Sequence, residues 1–119
     1  MARLWIGLGA LTGLVAVAMA AVAAHAIADE RAREIVRAGV QIEGWHALAL
    51  IGTGLWVPRG GRLADLAGLA FVLGLLAFCG AIYALGLAGV HTGLLAPAGG
   101  LLLMLGWALL GLSAIFPRA

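Results

Sequence analysis

The chain is poor in everything that coats a water-soluble protein. Charged residues make up 10% of its 119 positions, and it has one cysteine, one tyrosine and three prolines. A soluble domain of this length could not hide the apolar surface of a chain that is 65% hydrophobic. A lone Cys79 forms no intrachain disulfide, and its place within an apolar run marks it as a small buried thiol. All seven basic residues are arginines scattered at the ends of apolar runs, with no basic patch interleaved with aromatics. The net charge of +2 and pI near 9.5 therefore imply no nucleic-acid partner. No phosphate-binding loop is present either, since the Gly-x-Gly patterns lie inside apolar runs with no strand before them. Ser113 has no local base, so nothing points to nucleophilic catalysis, and the expected function is non-enzymatic.

What fills the chain is four long apolar stretches, approximately Leu4–Ile27, Gly39–Val57, Leu66–Ala88 and Leu95–Phe116. Each is close to the roughly 20 apolar residues an α-helix needs to cross a hydrocarbon core of about 30 Å. The mean hydropathy of +1.15 agrees. The expected fold is all-α, an integral membrane four-helix up-down bundle with short connectors, forming a single transmembrane domain over residues 1–119. Arg3, an apolar run and Ala24-His25-Ala26 mimic a signal peptide, but the run exceeds the usual length of about 7–15 residues. We read it as a retained first span.

Arginine counting places both termini in the cytoplasm, with Arg3, Arg59, Arg62 and Arg118 inside and Arg31, Arg33 and Arg37 outside. The connector Ala28–Ala38 has helical spacing, with Ala28, Ala32, Ile35, Val36 and Gly39 on one face. It is expected to lie flat at the membrane surface or to extend the second span, supported by Asp29–Arg33 and Glu34–Arg37 pairs. Pro58-Arg59-Gly60-Gly61-Arg62 reads as a tight turn, with Pro58 stopping the helix.

Nineteen glycines let helix backbones approach closely in lipid, where no hydrophobic effect drives helices together. Gly9, Gly13, Ala16, Ala20 and Ala24 form one small-residue ridge; Gly80, Ala84 and Ala88 form another. Trp5, Trp56 and Trp107 are placed as cytoplasmic-side interfacial anchors.

Polar groups inside spans are expensive, and five stand out: His25, Glu43, His46, Tyr83 and His91. Glu43 and His46, three residues apart, project from nearly the same helix face. His25 ends the first span in the same leaflet, and Tyr83 lies in the outer half of the third. The spacing predicts a convergence of His25, Glu43, His46 and Tyr83 near one depth. Such a cluster is either a hydrogen-bonded plug that fixes bundle register, with Glu43 protonated or paired with His46, or a proton-handling site. It is otherwise a metal or haem site, with His25, Glu43, His46 and His91 as candidate ligands; di-metal bundles carry two Glu-x-x-His elements, and this chain has one. No cofactor is expected.

At these same residues the chain resembles the YgdD-like family of small membrane proteins, domain of unknown function 423, which has a mitochondrial transmembrane counterpart in animals. The resemblance rests on Ala-Ala-His-Ala (Ala23–Ala26), Trp-His-Ala-Leu-Ala-Leu (Trp45–Leu50), Phe-Cys-Gly-Ala-Ile-Tyr (Phe78–Tyr83) and Ala-Pro-Ala-Gly-Gly (Ala96–Gly100). It implies histidines at positions 25 and 46 and a tyrosine at 83. Ile42 and Trp45 stand where the family pattern has tyrosines, and Glu43 where it has glutamine, which implies hydrogen bonding rather than proton transfer at 43. It further implies a multi-pass protein of the bacterial inner membrane. The expected role is an accessory, assembly or scaffold component, with the lipid bilayer and a larger membrane complex or a homo-oligomer as partners.

Overall fold

Residues 1–118 are described by a computed structural model. It is all-helical, with three helices: α1 (Ala2–His25), α2 (Glu30–Ala88) and α3 (Leu95–Ile115). All three are long and apolar enough to cross a membrane. The four separate helices expected from the sequence are thus corrected to three, because the second and third apolar stretches belong to one 59-residue element.

That element is not straight. A continuous helix of 59 residues would reach about 88 Å at 1.5 Å per residue, whereas the longest dimension of the molecule is 53 Å. The break is at Gly61, whose φ of 62° and ψ of −143° lie outside the helical region and are open to glycine without a Cβ clash. Two limbs, residues 30–60 and 62–88, double back on one another; Glu43 and Tyr83, on opposite limbs, are hydrogen-bonded. Pro58 does not stop the helix, which continues to Gly60. A proline costs one main-chain hydrogen bond, which membrane helices tolerate.

The connector expected to be helical is the first turn of α2 and the stretch beyond it. Asp29 caps it, its carboxylate accepting from the Ala32 amide at 2.9 Å. Asp29 is therefore not the partner of Arg33, whose guanidinium pairs with Glu30 at 3.4 Å and donates to the Ile27 carbonyl at 2.9 Å. At the far end Gly89, with φ 67°, closes α2 in the left-handed conformation, and its amide bonds back to Leu85.

Both α1 and α3 pack on α2, and among the described residues they make no contact with each other. The core is therefore centred on α2: Leu50, Ala64, Ala67 and Phe71 are fully buried, with Trp5 and Leu103 inserted from either side. On α1 the buried residues include Gly9, Ala16 and Ala23, a seven-residue repeat that matches left-handed helix packing rather than the four-residue ridge expected. Ala20 and Ala24 are exposed. The second expected ridge is likewise unused at Gly80, where nothing lies near the position a Cβ would take. The close approaches fall instead at Gly68 under the Trp5 ring, Gly106 under Phe71, and Gly99 against the Phe78 backbone.

Candidate functional site

Glu43 and Tyr83 meet because Gly39, one turn before Glu43, has no side chain. A Cβ there would stand 2.8 Å from both Ile82 Cγ2 and Tyr83 Cε1, so the phenol ring occupies the space. It thereby reaches Glu43, and Tyr83 Oη donates to Glu43 Oε1 at 2.6 Å. Cys79, one turn before Tyr83, is buried and its thiol donates weakly to the Gly39 carbonyl at 3.8 Å. Glu43 itself is 7% exposed.

His46 turns the other way. Its Nε2 accepts from Trp107 Nε1 on α3 at 2.9 Å, and its Nδ1 lies 2.7 Å from the Ile42 carbonyl. An indole N–H only donates and a carbonyl only accepts, so these partners together place the ring hydrogen on Nδ1. Both nitrogens are thus engaged. The imidazole also packs edge-on against Phe71 and Trp107, with ring centroids 5.6 and 5.7 Å away.

The predicted convergence is therefore corrected. Glu43 and Tyr83 come together as expected, but His46 is not paired with Glu43. Residues three apart on a helix differ by about 60° around its axis, and α2 is flanked on two sides. That offset sends Glu43 toward the opposite limb and His46 toward α3. His25 and His91 are exposed, His25 in the last turn of α1 and His91 in the connector before α3. Among the described residues no three His, Cys, Asp or Glu side chains converge as a metal group, so the candidate ligands His25, Glu43, His46 and His91 are dispersed. Glu43 and His46 are already engaged by Tyr83 and Trp107.

Sequence reasoning missed two further inter-element links. Trp5 is 3% exposed and donates to Asp65 Oδ1 at 2.8 Å, joining α1 to α2. Trp56 donates to Ser113 Oγ at 2.9 Å, joining α2 to α3, and Ser113 in turn donates to the Leu110 carbonyl. Three tryptophans read as interfacial anchors are thus cross-links, and Trp5 is core. The signal was available: an indole N–H in lipid needs an acceptor, and few side chains could supply one. No buried side-chain nitrogen or oxygen among the described residues lacks a partner.

Comparison with known proteins gives the chain its relatives. It is 29% identical over 107 residues to a UPF0382 membrane protein of Haemophilus influenzae, covering 87% of this chain and 86% of that protein. It is also 29% identical over 117 residues to a UPF0382 membrane protein of Staphylococcus epidermidis, covering 95% and 96%. No solved structure matches. With three apolar helices and bacterial relatives of this kind, the molecule is a bacterial membrane protein. Residues 19–100, which hold both limbs of α2 and the Glu43–Tyr83 pair, match the model of the protein of unknown function DUF423, and the chain belongs to that family.

Proposed function

We propose that this protein is a non-enzymatic accessory or scaffold subunit of a larger complex in the bacterial inner membrane. In this reading each limb of α2 crosses the bilayer, giving four crossings with both termini in the cytoplasm. The limbs, at about 46 and 40 Å, are long enough for that. The arginines near Gly61 fall on the same side as Arg3, in keeping with an excess of positive charge inside.

The observation that carries the reading is how the surface divides. Four pairs of polar side chains link one helical limb to another: Trp5–Asp65, Trp56–Ser113, Trp107–His46 and Tyr83–Glu43. Between the exposed Arg3 and His25 at its ends, the outer face of α1 is apolar, as is that of α3, with Leu14, Val17, Leu101 and Met104 each more than 60% exposed. Such a molecule has a fixed interior and two separate faces, set on opposite flanks of α2, for lipid or for neighbouring helices. Mild-detergent extraction at native expression, followed by size analysis and identification of co-purifying chains, tests it. Recovery with a defined membrane partner is expected; a chain that always migrates alone overturns it.

A further inference from the structure

The Glu43 carboxyl has one oxygen to spare. Tyr83 takes Oε1, and Oε2 has no partner among the described residues. No buried side-chain oxygen goes unpaired there, so Oε2 is reached from outside the packed core. Glu43 lines a cleft of about 310 Å³ between α1 and α2, in the size range of small-molecule sites. Leu8, Leu11 and Val15 form one wall, and Val72, Leu76 and Tyr83 the other. The walls at Leu11 and Leu76 are 55% and 69% exposed, so the mouth opens sideways into lipid rather than to water.

Shape and chemistry narrow the occupant. Along α2 the cleft runs from Val72 to Tyr83, about 16 Å at 1.5 Å per residue. Its carboxyl sits at the Tyr83 end and the rest is apolar, apart from the Cys79 thiol and Thr12 on the α1 wall. No arginine lines it, so the phosphate of an ordinary phospholipid would find no counter-charge. A carboxyl oxygen in lipid needs a hydrogen-bond partner that is itself cheap to bury, and a neutral hydroxyl, which both donates and accepts, serves Oε2 whether or not that oxygen carries the hydrogen. We propose that this cleft binds one neutral single-chain amphiphile, its hydroxyl head hydrogen-bonded to Glu43 Oε2 and its chain lying along Leu8, Leu11, Val72 and Leu76.

The test uses the full-length chain, delipidated in lauryldimethylamine oxide held at one concentration in every titration. Native mass spectrometry then follows titration with monoolein, or with methyl oleate, which has the same chain and no hydroxyl. A saturable one-to-one monoolein adduct is expected, with methyl oleate weaker by about tenfold, the worth of one buried hydrogen bond. Leu76→Trp alters an exposed position, leaves the helical circular dichroism unchanged and blocks the cleft, so it should weaken monoolein by about tenfold or more. No adduct, equal binding of the two esters, or an adduct indifferent to Leu76→Trp overturns the proposal.

Discussion

Tyr83 and Glu43, forty positions apart in the chain, close the two limbs of α2 through a single 2.6 Å hydrogen bond in which the phenol donates. The direction of that bond decides how each partner tolerates change. Tyr83→Phe removes the one donor that the carboxyl has among the described residues, so it should cost about 1 kcal/mol in a membrane helix pair. Glu43→Gln keeps an acceptor, because an amide carbonyl takes the same phenolic hydrogen. It should stay within about 0.5 kcal/mol of the native protein. Reversible unfolding in mixed micelles measures both. A Gln variant as damaged as the Phe variant would mean that the carboxyl's second oxygen or its charge matters to the fold.

His46 offers a second pairwise measurement, since among the described residues Trp107 alone reaches it from another helix by hydrogen bond. A double-mutant cycle with His46→Leu and Trp107→Phe measures that link together with the edge-on contact of the two rings, apart from the packing of each on Phe71. A coupling of about 0.6–1.7 kcal/mol is expected, the range seen for interhelical hydrogen bonds in lipid. A coupling near zero would mean that His46 and Trp107 contribute independently, each through its own packing on Phe71.

These two pairs also mark how far the sequence could be read. Hydropathy places the helices well: the first and last apolar stretches match α1 and α3 to within two residues at each end. The turn between the inner stretches was legible from Gly60-Gly61, though not that the helix would run through Pro58 to reach it. The Glu43–Tyr83 contact followed from depth alone, because antiparallel neighbours must bring those residues to one level. Azimuth is what single-sequence reasoning lacked. Treating Glu43 and His46 as one face ignores the roughly 60° between them, and here that angle separates two neighbouring elements. The same gap explains the ridges. Ala16 with Ala24, or Gly80 with Ala88, look continuous at four-residue spacing, but the packing follows seven-residue steps through Gly9, Ala16 and Ala23.

Glycines should accordingly divide into two groups by consequence. A methyl group on Gly68 would meet Trp5 Cε2 at 2.5 Å, and that ring is buried and held by Asp65, so it has nowhere to go. Gly68→Ala should destabilise by about 1–3 kcal/mol through overpacking. Gly80 has nothing within 4 Å of the same position. Gly80→Ala should be neutral or stabilise by a few tenths, up to about 1 kcal/mol, as helix propensity dictates. Thermal stability in one detergent compares them directly, and similar losses at both sites would mean the packing at Gly80 is tighter than described.

The side of the membrane on which Gly61 lies decides between one crossing and two for α2. With Cys79 replaced by alanine the chain has no cysteine, and single cysteines can be placed at Arg59, beside the break, and at His91, in the connector before α3. Both positions are exposed, so neither substitution disturbs the core. The limb between them runs about 40 Å, longer than the roughly 30 Å hydrocarbon core, so a membrane-impermeant maleimide applied to intact cells should reach one site and not the other. With the arginine-rich end inside, Arg59→Cys is expected to stay unlabelled until the cells are opened, while His91→Cys reacts at once. The reverse pattern keeps the second limb as a crossing and inverts the orientation. Equal labelling of the two from outside would mean that this limb does not cross at all, and the four-crossing arrangement would fall with it.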